Sequence, residues 1–152
     1  MVVPFSVCEI NVVLKSGDTI RFVGTHLDHE RDPKNRLMQA KELNRVLTRD
    51  SRPSILTGDL NEEPDKEGMK VLFTEWERSF KEDTPTFPSD NPIKKIDYVL
   101  FRPANRWRVL ETKVIDEKVA SDHCPVLVVL ELFLPLMQLC ITIVVVAWST
   151  LV

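Results

Sequence analysis

Ser54–Asp65 reads SILTGDLNEEPD. The apolar pair Ile55 and Leu56 stops at Gly58, and Asp59 and Asn61 follow two positions apart. A short apolar run bounded by turn residues has the length and composition of a buried strand. Such a strand would end by presenting a carboxylate and a carboxamide side by side. Asp59 and Asn61 also suit a turn that caps a helix starting near Pro64. The acids Glu62, Glu63 and Asp65 fit a solvated first turn favoured by the helix dipole.

Outward from this stretch, strand and helix patterns alternate. VCEINVVLK (Val7–Lys15) and TIRFVGTHL (Thr19–Leu27) are rich in β-formers and flank Ser16-Gly17-Asp18, a hairpin signal. NRLMQAKELNRVLTR (Asn35–Arg49) puts Leu37, Ala40, Leu43, Val46 and Leu47 on one helical face. Downstream, Pro64–Phe80 predicts a second helix, with Pro64 in its first turn and Met69, Leu72, Phe73, Trp76 and Phe80 as its apolar stripe. TPTFPSDNPIKK (Thr84–Lys95) is a proline-rich loop. KIDYVLF (Lys95–Phe101), RWRVLETKVI (Arg106–Ile115) and PVLVVLEL (Pro125–Leu132) complete the strands. The mixture predicts an α/β sandwich.

The polar residues fall mostly at the ends of these apolar strands. His26 closes Thr19–Leu27, and Asp122 and His123 stand just before Pro125–Leu132. Asp97 lies inside an apolar run, where an unpaired carboxylate is costly, so a partner is expected. Carboxylates, an amide and imidazoles converging on one rim suit an oxygen-loving divalent metal and a phosphate. His29 sits in the polar stretch DHERD and reads as a solvated side chain. Cys124, beside His123, reads as a small packing residue and not as a nucleophile.

The chain has 152 residues and a net charge of −3, with 43% hydrophobic and 28% charged residues. That length supports one domain with a real core. The charge gives no strong electrostatic footprint for nucleic acid. Cys8, Cys124 and Cys140 are odd in number and widely scattered, which argues against a disulfide framework or a zinc site. Residues 132–152 read LFLPLMQLCITIVVVAWSTLV, 21 residues without a charge. As a helix they would reach about 30 Å, the thickness of a bilayer's hydrocarbon core. Two readings stand: a membrane anchor, or a buried helix or strand.

GTHLDHE, ILTGDLNEEPD, KIDYVLF and ASDHCPVLVVLEL, in this order and at these separations, resemble four successive signatures of the endonuclease/exonuclease/phosphatase superfamily. The resemblance covers roughly residues 7–132. It implies an α/β fold, the C-terminal half of a four-layer sandwich in which two β-sheets are flanked by helices. Beyond a partial domain over 1–131, a hydrophobic C-terminal helix is expected over 132–152, a candidate transmembrane anchor. The activity implied is metal-dependent hydrolysis of phosphoester bonds, with Mg2+ or Mn2+ as cofactor. The substrate would be a phosphate ester: a small molecule, a lipid or a nucleic acid. The resemblance gives Asp59 the attacking water, Asn61 the phosphate, His26 a phosphate oxygen or the leaving group's proton, and His123 the scissile phosphate or a proton. Asp97 would hold the second nitrogen of His123, and Asp122 the metal. Family members carry an upstream strand with an asparagine and a glutamate, the principal metal ligand, which has no counterpart before His26. This implies weak Mg2+ affinity, with an inactive remnant or a membrane-anchored binding protein as the alternative. An anchor would make the chain membrane-associated; without one the expectation is cytoplasmic.

Overall fold

The computed structural model describes residues 4–134 and 139–148. β1 (Val7–Val13) and β2 (Thr19–Thr25) form the expected hairpin, in which Gly17 takes a φ of 88° at the turn. Helix α1 (Lys34–Leu47) then carries the chain across to β3 (Ser54–Asp59), which pairs parallel with β2. A parallel pair needs such a crossover. β5 (Asp97–Arg102) runs antiparallel to β3, and the two-residue β4 (Glu77–Arg78) closes that edge. The sheet order is β1-β2-β3-β5-β4. β6 (Trp107–Val114), β7 (Val126–Leu134) and β8 (Leu139–Ala147) make a second, antiparallel sheet in that order.

Two cores result, one on each face of the five-stranded sheet. Ile20, Ile55, Val99 and Phe101 pack against Val126, Val128, Leu130 and Leu132 of β7 between the sheets. On the other face Val23, Leu56 and Leu100 pack against Ala40, Leu43 and Leu47 of α1 and Met69 and Leu72 of α2 (Glu67–Leu72). The alternation of side chains along each strand supplies both cores at once. Arg21 and Arg102 both donate to the carbonyl of Leu47 at the last turn of α1, at 2.8 and 3.1 Å, fixing the helix on the sheet.

The architecture is therefore α/β, with helices on one side of two stacked sheets. Among the described residues no helix covers the outer face of the β6-β7-β8 sheet, so the fourth layer of the expected sandwich is not seen.

Two expectations are corrected. The helix expected over Pro64–Phe80 ends at Leu72. Asn44 explains the turn: its Nδ2 donates to the Val71 carbonyl at 2.7 Å, and its Oδ1 accepts from Trp76 Nε1 at 3.1 Å. Glu77 and Arg78 then pair with Phe101 and Leu100. The hydrophobic helix expected over 132–152 is likewise not what the described residues form. Leu132–Leu134 finish β7, and Leu139–Ala147 are a strand paired along β7 from Phe133↔Cys140 to Val126↔Ala147. Ile141, Ile143, Val145 and Ala147 point to the inter-sheet core, whereas Cys140, Thr142, Val144 and Val146 are exposed. A run dominated by β-branched residues favours a strand once an open partner edge is present. No helix among the described residues is long and apolar enough to cross a membrane. Residues 135–138 and 149–152 of that stretch lie outside the described residues.

Candidate active site

The C-terminal ends of β2 and β3, the start of β5 and the loop before β7 meet at one rim of the sandwich. Asp59 and Asp97 are directly opposed in the β3–β5 ladder, so their carboxylates share the inter-sheet face. Both are buried. His123 enters from the second sheet, where it precedes β7. Its Nδ1 lies 2.9 Å from Asp97 Oδ2, and its Nε2 lies 3.8 Å from Asp59 Oδ2. His26, exposed at the end of β2, brings Nε2 to 3.5 Å from Asp59 Oδ2.

Gly58 makes this approach physically possible. Its φ is 144°, and a Cβ there would stand 1.8 Å from the carbonyl oxygen of Thr25. Any side chain would force β3 away from β2 just where Asp59 and His26 must meet. Asn61 adopts a φ of 51°, a left-handed conformation that asparagine tolerates. Its backbone N–H donates to Asp59 Oδ1 at 2.8 Å, and its side-chain Nδ2 donates to the Leu27 carbonyl at 2.9 Å. Asp59-Leu60-Asn61 is thus a turn closed by the Asp59 side chain, but it does not cap the following helix, whose N-cap is Lys66.

The electrostatics follow from burial and proximity. Burial, and then the charge of Asp97, raise the pKa of Asp59, partly offset by the Asn61 N–H and the two imidazoles. Burial resists charging His123, but the hydrogen bond and charge of Asp97, with Asp59 and Asp122 behind them, more than reverse this and raise its pKa. Two buried carboxylates facing each other leave negative charge that a cation would relieve. Ligand atoms of Asp59, Asp97 and His123 all lie within 4.8 Å of one another, and the two carboxylate oxygens are the donors a hard divalent ion prefers. The donor set thus fits such an ion.

Five of the six residues singled out in the sequence, His26, Asp59, Asn61, Asp97 and His123, converge here. Asp122 does not join the three-residue cluster. Its half-buried side chain accepts from Ser121 Oγ at 3.4 Å, and its carbonyl accepts from Ser89 N at 2.7 Å. Cys124 is buried, as a packing residue should be.

The proline-rich loop holds the residues that the sequence did not mark. The Phe87 ring lies 4.7 Å from the His123 ring, centroid to centroid. Thr86 Oγ1 accepts from the amides of Ile96 and Asp97, and the Thr86 carbonyl accepts from Cys124 N at 2.8 Å. Ser89 Oγ donates to the Ser121 carbonyl at 2.8 Å. These bonds strap the loop to the segment carrying His123. A threonine and an aromatic between prolines give no periodic signal that would have flagged them. Beside the cluster opens a cavity of about 430 Å3 that reaches from Asn61 and His123 to Phe87, Arg31, Lys66 and Lys94.

A family model described as the Endonuclease/Exonuclease/phosphatase family matches residues 5–123. No curated protein matches the chain in sequence. Among solved structures, an endonuclease/exonuclease/phosphatase from Bacteroides vulgatus is 23% identical, with a TM-score of 0.62 over 77% of this chain and 51% of its own. The mannosyl-6-phosphatase Bt3783 of Bacteroides thetaiotaomicron is 22% identical, with a TM-score of 0.62 over 76% and 52%. The human Nocturnin catalytic domain, solved with a bound sulfate anion, is 17% identical, with a TM-score of 0.58 over 82% and 60%. At these identities the structures show a shared fold. This chain spans about half the length of the two Bacteroides proteins. On the match over 119 of its 152 residues, 5 through 123, the chain belongs to the Endonuclease/Exonuclease/phosphatase family.

Proposed function

We propose that this chain carries the water-orienting and phosphate-binding rim of a metal-dependent hydrolase of phosphate esters. The observation that carries the reading is the buried Asp59–Asp97–His123 cluster, with His26 reaching Asp59 from the exposed side. Asp97 at 2.9 Å holds Nδ1 of His123 and so aims Nε2 at the space in front of Asp59. His123, easier to protonate than a free histidine, supplies positive charge to a phosphoryl oxygen. Asp59, with its pKa raised by burial, is suited to take a proton from an attacking water. His26 stands where a leaving oxygen could be protonated, and the Asn61 carboxamide, anchored on Leu27, keeps its oxygen and one N–H for the substrate. Bound Mg2+ or Mn2+ would be held by Asp59 and Asp97, the two carboxylates of the cluster, and would neutralise phosphoryl charge, while Asp122, adjacent to His123 in the chain, stands outside that cluster. The adjoining cavity, lined by Arg31, Arg36, Lys66 and Lys94 together with Glu30, Glu62 and Glu63, offers cations to the rest of a small ester.

The test is hydrolysis of bis-p-nitrophenyl phosphate and p-nitrophenyl phosphate in millimolar Mg2+ or Mn2+. Asp59→Ala and His123→Ala should each lower turnover by about 10²-fold, the scale of a general acid/base group. EDTA should abolish it. Turnover by the parent chain that neither substitution reduces, or no turnover with either ester and either metal, would overturn the reading.

A further inference from the structure

Leu27, beside His26, is held by the rim itself, its amide donating to the Asp59 carbonyl at 3.0 Å and its carbonyl accepting from Asn61 Nδ2 at 2.9 Å, whereas the loop that continues from it is held by groups outside the cluster. We infer that Arg36, fixed in turn by Glu62, is the positioning residue that sets His26 and the wall of the adjoining cavity. The inference rests on the hydrolase reading for its functional meaning, though not for its geometry.

Arg36 sits in the first turns of α1 and is buried, although it is an arginine. Its Nη1 donates to the carbonyl of Asp28 at 3.1 Å and to that of Glu30 at 2.5 Å. One turn further along α1, Gln39 Oε1 accepts from the amide of Asp28 at 2.9 Å. The backbone just after His26 is therefore bonded to α1 from both its donor and its acceptor sides. A buried guanidinium needs a counter-charge. Glu62 provides it, with Oε1 3.7 Å from Arg36 Nε, and Glu62 comes from the loop that begins at Asp59. The far oxygen of Glu62 lies against Gly68, where a Cβ would approach it to 2.1 Å. Gly68 lets the carboxylate enter, the carboxylate holds Arg36, and Arg36 holds the His26 loop. The two loops that present His26 and Asp59 are thereby tied by this ion pair in addition to the Asn61–Leu27 bond and the bond from the Leu27 amide to the Asp59 carbonyl.

Arg36 and Glu62 line the adjoining cavity but touch no reacting atom in this scheme. They act through the loop, so their signature should be local to it. Three variants probe the clamp: Arg36→Met removes it, Arg36→Lys keeps the charge but not the fork, and Gly68→Ala displaces Glu62 without altering Arg36. Two-dimensional NMR of the folded proteins gives the readout that does not depend on activity. In Arg36→Met and Gly68→Ala the His26 ring resonances should shift. With the Asp28 and Glu30 carbonyls released, the loop should open more often and the Asp28 amide, still bonded to Gln39, should exchange about tenfold faster, while the Leu56 and Leu100 amides of the sheet keep their protection. Arg36→Lys should fall between. Turnover should drop with Arg36→Met by about 10²-fold in kcat, as expected for a displaced group, with KM changed far less. Unchanged His26 resonances and Asp28 exchange in folded Arg36→Met would overturn the inference; if that variant does not fold, the same result in Gly68→Ala decides. If the parent chain hydrolyses neither ester, the hydrolase reading falls while the NMR result still decides whether Arg36 positions the loop.

Discussion

At the rim of the sandwich, two carboxylates and two imidazoles from three strand ends and a loop meet within 2.9 to 3.8 Å. Along β1 the picture is the reverse. Ile10 and Val12 lie opposite Phe22 and Ile20 and so share the inter-sheet face, yet they are 58% and 40% exposed. On β8, Val144 and Val146 are 61% and 54% exposed on the outer face. One region places costly polar groups in the interior, and the other leaves apolar groups in water. The difference follows from partners. Each polar group at the rim is met by a group from another strand, so burial is tolerable. Among the described residues the second sheet packs on β5 through β7 and β8, and β1, at the far edge of the five-stranded sheet, takes no comparable part.

The contrast can be broken most strongly in the core that links the two regions. Leu130 of β7 is fully buried between the sheets, and Leu130→Ala should cost about 2–5 kcal/mol by denaturant unfolding.

Lys95 is one of the buried polar side chains with an atom left without a hydrogen bond. It is 4% exposed, its Nζ makes no hydrogen bond, and it rests 4.3 Å over the ring of Phe80. Burial lowers its pKa from 10.5 to about 8, against the pull of Asp97. The folded state therefore releases this proton before the unfolded chain does. Between pH 8 and 10.5 the unfolded state binds more protons, so stability should rise with pH through that window, by roughly 3 kcal/mol in all. Lys95→Met should remove the slope and raise stability near neutral pH. A flat parental profile would show the ammonium to be better solvated than its burial implies.

A smaller effect sharpens the account of the rim. Asp97→Asn removes the main groups that raise the pKa of His123, so an NMR titration of the ring should midpoint lower than in the parent. Since burial alone opposes protonation, a midpoint that stays put would mean that Asp59 and Asp122 hold the charge. The smallest effect belongs to the exposed side: Val146→Thr should change stability by less than about 0.5 kcal/mol, because its side chain lies largely in solvent already.

Much of this was legible in one dimension. The strand–helix–strand order, the hairpin and the strands that end in His26 and Asp59 are local patterns of period 2 or 3.6, closed by glycine, aspartate and asparagine; the parallel pairing of β2 with β3 is not. The expectation that Asp97 needs a partner followed from the cost of a carboxylate in an apolar strand, and His123 at 2.9 Å is that partner. The helix expected to Phe80 failed because a stripe of Met69, Leu72, Phe73 and Trp76 is compatible with more than one backbone. Asn44 and the edge of β5, both distant in sequence, chose between them.

Residues 132–152 show the same division. Their freedom from charge was visible in the sequence, and so was the choice between a helix and a strand; apolar composition alone does not decide it. The edge of β7 decided it for Leu139–Ala147, since pairing satisfies a row of backbone groups that a β-branched run presents readily. Composition and local period determined the hairpin, α1 and the strands of the apolar runs through Leu132. Which carboxylate faces which, why Gly58 must lack a side chain, and how Arg36 reaches the His26 loop were decided only in three dimensions. Those contacts join residues from different strands, and their energies depend on a geometry that no local pattern encodes.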